Sequence, residues 1–417
     1  MGSLDGPEPG PGTGTRTAGT GTRTGTGPRI AVLADDLTSA GDGAAPFRRT
    51  GHTARILFSV PDEPVRDPGV TAVDLGSRLL DEAAAVARTL RAARLCADAD
   101  LVLKTVDSTL RGHVAAEVRA AWEGSRRRAV VIAPAFPAEG RVTVDGVQYV
   151  RGVPVHESAY ARDPVHPVRC SDLAALFPGA TVVGPEGTAG LPGLLAEGRP
   201  VVCSARGDAD LDRFVAAVPH PGDVLWVGSP GLAAALARRY PLVPGVTIPA
   251  PRPARRPLVA VGSVNPVTRR QLAVLRARAD VRGLTVGDGD RAASEEALRG
   301  LDAPVLTLQT PDGRRTPEQA RTLARSLAVL SRALTEQGLV DALVVTGGET
   351  AATVLETLGV IGIDLLDEPE PGVARGTPIG GPALPVLIKA GGFGDDDLLV
   401  RLCRLVRQHP ATEETPA

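Results

Sequence analysis

Lysine is almost missing from this chain. Of its 46 Lys and Arg residues only Lys104 and Lys389 are lysine, Asn265 is the sole asparagine, and the single methionine is the first residue. A coding preference for Arg, Ala, Gly and Pro accounts for much of this. Arginine does not replace a compact ammonium where a point charge is required, so the surviving lysines and the asparagine mark positions worth locating. Cysteine is scarce too. Cys96, Cys170, Cys203 and Cys403 form no C-x-x-C pair, which argues against a zinc site or a disulfide framework and for reduced thiols in the cytoplasm. No long apolar run exists. The longest, near residues 129–138, falls far short of the ~18 residues a bilayer span needs, and the N-terminus lacks the apolar core of a signal peptide. With a net charge of −2, no global field would draw in nucleic acid or an anionic membrane.

Several motifs are absent as well. Neither lysine follows glycine, so there is no Walker A loop. No complete G-x-G-x-x-G, G-x-S-x-G or H-E-x-x-H occurs, which sets aside protein-kinase and Rossmann loops, the hydrolase elbow and the zincin helix. What remains is a chain of 417 residues, 43% hydrophobic and 23% charged, long enough for two or three domains with sizeable cores.

Residues 1–28 are mostly Gly, Thr and Pro and read as a disordered tail, as do residues 409–417. Between them apolar strands alternate with helical stretches, which predicts α/β architecture with mainly parallel sheets. RVTVDGVQYVRGVPV (Arg141 to Val155) alternates about Asp145-Gly146 and reads as a hairpin, equally serviceable as a dimer arm. The segment around Pro241 to Pro257 is rich in Pro and Arg and reads as a linker. The expected organisation is a domain over 29–245, a linker over 246–257 and a second domain over 258–408. Two α/β domains with an active site in the cleft between them would close about that linker.

The second half repeats one design three times: apolar strand, small-residue loop, helix. The loops are Val261-Gly262-Ser263-Val264-Asn265, Thr346-Gly347-Gly348-Glu349-Thr350 and Lys389-Ala390-Gly391-Gly392-Phe393-Gly394. Backbone amides in such loops, and the helix N-termini behind them, suit an anion. Any one is an ordinary glycine turn; three together, with Lys389 and Asn265, suggest a polyphosphate or nucleotide.

The first half places charge where strands end: Asp35-Asp36 with Thr38 and Asp42, then Lys104, Asp107, Ser108, Thr109 and Arg111. Charges at a buried strand's end are costly unless paired or bound to ligand. Lys and Arg suit a small carboxylate; aspartates suit sugar hydroxyls, as acceptors or as a general base. A salt-bridge network, or helix capping by Asp36 and Asp42, explains the aspartates about as well. A third cluster runs from Phe136 to Arg141, where Arg141 could contact an anion, and on to His156 and His166.

ADDLTSAGD (Ala34 to Asp42), KTVDSTLRGH (Lys104 to His113), APAFPAEGRVTVDGVQYVRGVPVHES (Ala133 to Ser158) and KAGGFG (Lys389 to Gly394) resemble, in order, the signature blocks of the four-carbon acid sugar kinases. That family includes 3-oxo-tetronate, D-threonate and D-erythronate kinases. The resemblance implies a sugar-acid-binding domain followed by a nucleotide-binding domain, and ATP-dependent phosphorylation of a terminal (C4) hydroxyl. It puts Asp36, Lys104, Asp107, Ser108 and Arg111 in the acid site. Ser263, the loop Gly347, Gly348, Glu349 and Thr350, and Gly391 would hold ATP. Ser39-Ala40 stands where Thr-Gly is usual, beside the substrate, and Ala390 and Gly392 replace a usual Ser and Asn. Mg²⁺ is expected to bridge the phosphates. Lys104 and Arg111 are expected to hold the substrate carboxylate, Asp36 or Asp107 to act as base, and Lys389 to stabilise phosphate charge. A non-catalytic sensor of nucleotide and sugar acid is the main alternative, and a phosphatase or ligase using the same anion loops the second.

Overall fold

The computed structural model describes residues 27–163, 166–242, 253–287, 296, 300, 302–313 and 316–408. The tail expected over 1–28, apart from its last two residues, lies outside them, as do the tail over 409–417 and positions 246–252 of the linker.

The first half runs β1 (Arg29–Ala34), α1 (Leu37–Arg49), β2 (Ala54–Leu57), β3 (Gly69–Asp74), α2 (Glu82–Leu95), β4 (Leu101–Thr105), α3 (Val114–Ser125) and β5 (Ala129–Ala133). The hairpin follows as β6 (Arg141–Val144), β7 (Val147–Val150) and β8 (Val153–Pro154), a small antiparallel sheet of its own. Its turn is Asp145-Gly146, both at positive φ (+49° and +79°), the geometry a tight two-residue hairpin demands. Then come α4 (Leu173–Leu176), β9 (Thr181–Val183), α5 (Leu191–Ala196), β10 (Val201–Cys203), α6 (Asp208–Ala217), β11 (Val224–Gly228) and α7 (Pro230–Arg239).

The second half runs β12 (Pro257–Val261), α8 (Pro266–Arg276), β13 (Val281–Thr285), β14 (Val305–Gln309), α9 (Pro317–Glu336), β15 (Ala342–Thr346), α10 (Gly348–Thr357), β16 (Val360–Glu370), β17 (Val373–Gly380), β18 (Val386–Lys389) and α11 (Leu398–Arg407). Helix starts follow local chemistry. Asp36 caps α1, Asn265 caps α8 ahead of Pro266, and Thr316 with Gln319 closes a capping box on α9. Helix α11 buries Leu398, Leu399, Leu402, Cys403 and Val406 at helical spacing.

The α/β class and mainly parallel pairing follow the sequence pattern, with one addition. Apart from β6, β7 and β8, the strands of the described residues join one sheet in the order β13-β14-β12-β15-β18-β17-β16-β2-β3-β1-β4-β11-β5-β10-β9. The parallel strands are buried on both faces, which is why β1, β4, β5, β11, β12 and β15 read as unbroken apolar runs. The β16–β17 hairpin supplies the antiparallel pairs and joins the halves: β17 pairs with β18, and β16 pairs with β2 through Gly362–Leu57, Ile363–Ile56, Asp364–Arg55 and Leu365–Ala54.

The core follows the same division. On one face a single apolar cluster runs through both halves, from Ile30, Val32 and Ile56 by way of Ile363 and Leu365 to Val345 and Leu258. On the other face each half keeps a separate cluster, with Val102 and Ile132 in one and Val259 and Leu402 in the other. Most of the segment expected to act as a hinge lies outside the described residues. The described part shows a second tie, a shared sheet, so relative movement of the halves must be accommodated across β2 and β16.

Candidate active site

Within each half the parallel strands end on a common edge, and the residues just past those ends are where an α/β protein binds ligands; the antiparallel pairings from β2 through β16 and β17 to β18 set the two halves in opposite senses. Asp35 and Asp36 follow β1, Asp107 and Ser108 follow β4, Ser263 follows β12, Gly347 follows β15 and Gly391 follows β18. They meet around a cavity of about 630 Å³. Asp36, Asp42, Arg78, Asp107, Ser108, Arg111 and Arg141 line it from the first half, and Ser263, Asn265, Gly347 and Gly391 to Gly394 from the second. Arg111 and Gly391 therefore face one space.

The first-half wall is a lattice of charged side chains. Asp36 accepts the Ser39 N–H at 2.7 Å with one carboxylate oxygen and pairs with Arg78 through the other. Arg78 also donates to Asp35 at 2.8 Å and to Ser39 Oγ at 3.3 Å. Burial opposes charge on Asp35, but Arg78 and then Lys104 outweigh it and hold its carboxyl below the usual range. The same aspartates raise the proton affinity of Arg78 against the cost of burial. Asp107 accepts from Thr109 Oγ1 at 2.6 Å and from Arg111 Nε. Those contacts and the nearby Arg78 overcome burial and keep its carboxyl far below the ordinary range. Arg111 reaches Asp163 at 3.5 Å and lies over the Tyr160 ring, 5.3 Å from its centre.

The turn that presents Arg111 has Leu110 buried at φ +62°. A leucine there costs on the order of 1 kcal/mol, which the surrounding contacts must hold. Behind Ser108, fully buried Gln148 donates to the Ser108 carbonyl at 2.9 Å and to the Pro134 carbonyl at 3.3 Å, so the β6–β7 hairpin buttresses two site loops. Arg141 differs from its neighbours: its Nε is buried with no hydrogen-bond partner, and no ion pair engages it among the described residues.

The second-half wall is mostly backbone. Ser263 sits where three loops converge: a Cβ on Gly391 would stand 2.9 Å from its Oγ, and one on Gly347 3.4 Å from its Cβ. Asn265 spends its side-chain oxygen on the N–H of Val267 at 2.9 Å, so the lone asparagine is a helix cap whose amide nitrogen faces Gly392. The Gly391 loop is held from below. Thr268 Oγ1 donates to Gly391 O at 2.6 Å, and fully buried Gln271 reaches the carbonyls of Phe393, Gly394 and Asp395 at 3.0, 3.2 and 2.8 Å. The N-termini of α8 and α10 meet at this wall, giving free amides and a favourable dipole for an anion.

Five expected residues do not line the cavity. Lys104 is 1% exposed, and its Nζ lies 3.1 Å from Glu117 of α3 and 2.8 Å from the Thr105 carbonyl. Strand alternation turns its ammonium toward Glu117 of α3, outside the cavity lining, and its charge acts on the site through Asp35. Lys389 is fully buried and donates to the Ala390 carbonyl at 2.8 Å. Burial lowers its ammonium pKa to about 8. Its ammonium lies beneath the glycine loop, outside the cavity lining. Thr350 packs under Gly262, where a Cβ would come within 2.1 Å of its Oγ1, while Glu349 points to solvent. Gly348 opens α10 against Thr38 of α1.

Arg78, Gln148 and Gln271 escaped sequence reasoning as site residues. Arg78 sits in a three-residue turn that carries no motif, and Gln148 and Gln271 act from within the core. Asp42, expected among the strand-end charges or as a helix cap, lines the cavity, while the cap of α1 is Asp36.

Among the described residues no helix is long and apolar enough to cross a membrane, and no three His, Cys, Asp or Glu side chains gather as a metal site. The sequence matches a sugar-binding N-terminal domain over residues 30–236 and a nucleotide-binding C-terminal domain over 258–399. It is 37% identical to a D-threonate kinase of Bordetella bronchiseptica over 93% of this chain and 99% of that one. It is 32% identical to a D-threonate kinase of Salmonella typhimurium, over 89% and 96% of the two chains. A crystal structure from Salmonella typhimurium LT2, described as a putative tRNA synthase, matches with a TM-score of 0.76 at 23% identity, over 90% of this chain and 99% of that one. That likeness concerns the fold alone.

Proposed function

The chain belongs to the four-carbon acid sugar kinase family, and from that premise we propose that it transfers the γ-phosphoryl group of ATP to the C4 hydroxyl of D-threonate, in the cytoplasm. The acid is chosen on relatives that carry that name, among them the two at 37% and 32% identity. The cytoplasmic setting is supported by four unpaired cysteines. The observation that carries the activity is the shared cavity: a wall of arginines and aspartates faces a wall of loop amides across one space.

In this reading residues 29–245 hold the acid and 258–408 the nucleotide. Arg111 and Arg141 face the cavity as cations, and Arg141, without an acidic partner among the described residues, grips the carboxylate. Asp36, Asp107 and Ser108 are held in place by Arg78, Arg111 and Gln148 and accept hydrogen bonds from sugar hydroxyls. Ser263, the Gly347 turn and the Gly391 loop cradle the phosphates. Phosphoryl transfer asks mainly for such positioning and charge stabilisation. ATP enters as its Mg²⁺ complex. The absence of a three-ligand cluster among the described residues fits an ion carried by phosphate oxygens and water, as Mg²⁺ prefers. When bound, the ion would lower the charge on the triphosphate, to which the second-half wall offers no cavity-lining cation among the described residues.

A coupled assay of ADP release, run with D-threonate, D-erythronate and their 3-oxo forms, tests this. D-threonate should give the highest kcat/KM and a product heavier by one phosphoryl group. Binding of acid and ATP without acid-dependent ADP release would instead identify a sensor.

A further inference from the structure

Neither aspartate expected to serve as base is suited to it. Asp36 is tied to Arg78 and to the start of α1, and Asp107 to Arg111 and Thr109. Both carboxylates are committed to these partners, and Asp107 is in addition held far below the ordinary carboxyl range, which makes it a poor proton acceptor.

Asp42 is different. It lines the cavity from α1, yet its carboxylate makes no hydrogen bond or ion pair among the described residues. It lies one turn beyond Thr38 and Ser39, on the same face of the helix. That helix marks the seam between the halves: Thr38 Oγ1 lies 3.6 Å from where a Cβ on Gly348 would stand, and a Cβ on Gly41 would meet Ala374 of β17 at 3.4 Å. A hydroxyl on the acid wall and a phosphoryl group on the loop wall must meet at this seam.

We propose that Asp42 is the catalytic base of the transfer, accepting the proton of the sugar-acid hydroxyl as its oxygen bonds to the γ-phosphorus. The bond from that phosphorus to the β–γ bridging oxygen breaks, the electron pair leaves with ADP, and the proton on Asp42 passes to solvent once product departs. Arg141 and Arg78 face Asp42 as cations, and Asp36 and Glu368 as anions. Burial first, then the Glu368 and Asp36 charges, raise its carboxyl to about 8, a proton affinity matched to work near neutral pH. Glu368 is itself engaged by Arg49 and by the Gly372 N–H.

The inference rests on the kinase reading, and Asp42→Asn in the full chain separates the two. If the parent releases no ADP with any four-carbon acid, the reading fails and the inference with it. If the parent turns over, Asp42→Asn should lower kcat at least 100-fold, the scale of a lost general base, with Kd for acid and ATP within threefold of the parent. The parent's rate should rise with pH along a limb the variant lacks. The folded state disfavours ionised Asp42, so stability declines as pH rises from about 4 toward 8, and Asp42→Asn should melt no earlier than the parent at pH 8. Asp42→Ser should show the same division. Any of four results overturns the proposal: kcat within threefold of the parent, a loss carried by KM, a tenfold rise in the Mg²⁺ needed for half-saturation, or the loss of kcat appearing instead in Glu139→Gln, which alters another carboxylate lining the same cavity.

Discussion

The two walls of the cavity are built from different materials. The first-half wall uses side chains, with Asp35, Arg78 and Asp36 in one group and Asp107, Arg111 and Asp163 in the other. The second-half wall uses backbone, shaped by glycines and fixed by Ser263, Thr268 and Gln271. A side-chain lattice can discriminate among the hydroxyl patterns of small acids because each group has its own direction. Loop amides grip phosphate without reading anything else. Each wall also has one buried lysine beside it, and the two differ: among the described residues Lys104 has a carboxylate partner and Lys389 only a carbonyl.

The largest test of that difference is Lys104→Met. It would leave Glu117 buried with only the Ser77 and Thr89 hydroxyls as donors, and breaking a buried pair from one side costs about 3–5 kcal/mol. Denaturant unfolding should show that loss, and the double variant Lys104→Met/Glu117→Gln should recover most of it. A stable Lys104→Met protein with a failed acid site would restore the lysine to direct contact with substrate.

Next in size is a pair of opposite effects on binding. Arg78→Ala removes charge-assisted bonds worth about 2–3 kcal/mol and should weaken D-threonate binding roughly 30- to 100-fold by calorimetry, with ATP unaffected. Gln271→Ala frees the loop carbonyls and should raise the KM for ATP about tenfold with acid binding intact. Equal losses of both ligands in either variant would mean that the walls are not separable.

Lys389→Met should have the smallest effect. Burial depresses this lysine, so the folded state binds its proton less readily than the unfolded chain does. Stability therefore rises with pH between about 8 and 10.5 as the penalty disappears. Melting curves should show the variant equal to the parent or about 1 kcal/mol more stable near neutral pH, with the gain fading above pH 8. A marked loss of stability near neutrality would show that the Ala390 contact outweighs desolvation.

Much of this was legible in the sequence, for reasons that also explain the rest. Strands buried on both faces stand out as apolar runs, and the charges or glycines just past them mark the binding edge, so Asp36, Asp107, Arg111, Ser263 and Gly391 were found by position. The same double burial hides direction. With apolar residues on both faces, nothing in LVLKT says that Lys104 turns toward α3. The β16–β17 hairpin escaped because Pro369, Pro378 and its register shifts interrupt period-two alternation. Arg78 could not be found because its partners Asp35 and Asp36 lie more than 40 residues away in sequence.

That hairpin also sets a measure. Because β16 is zipped to β2 and β17 to β18, the span between the first-half arginines and the second-half glycine loops depends on how those central strands pair with their neighbours. On the proposed kinase reading, the ruler for an acid's carbon chain is thus kept in the middle of the sheet, among residues that never touch it.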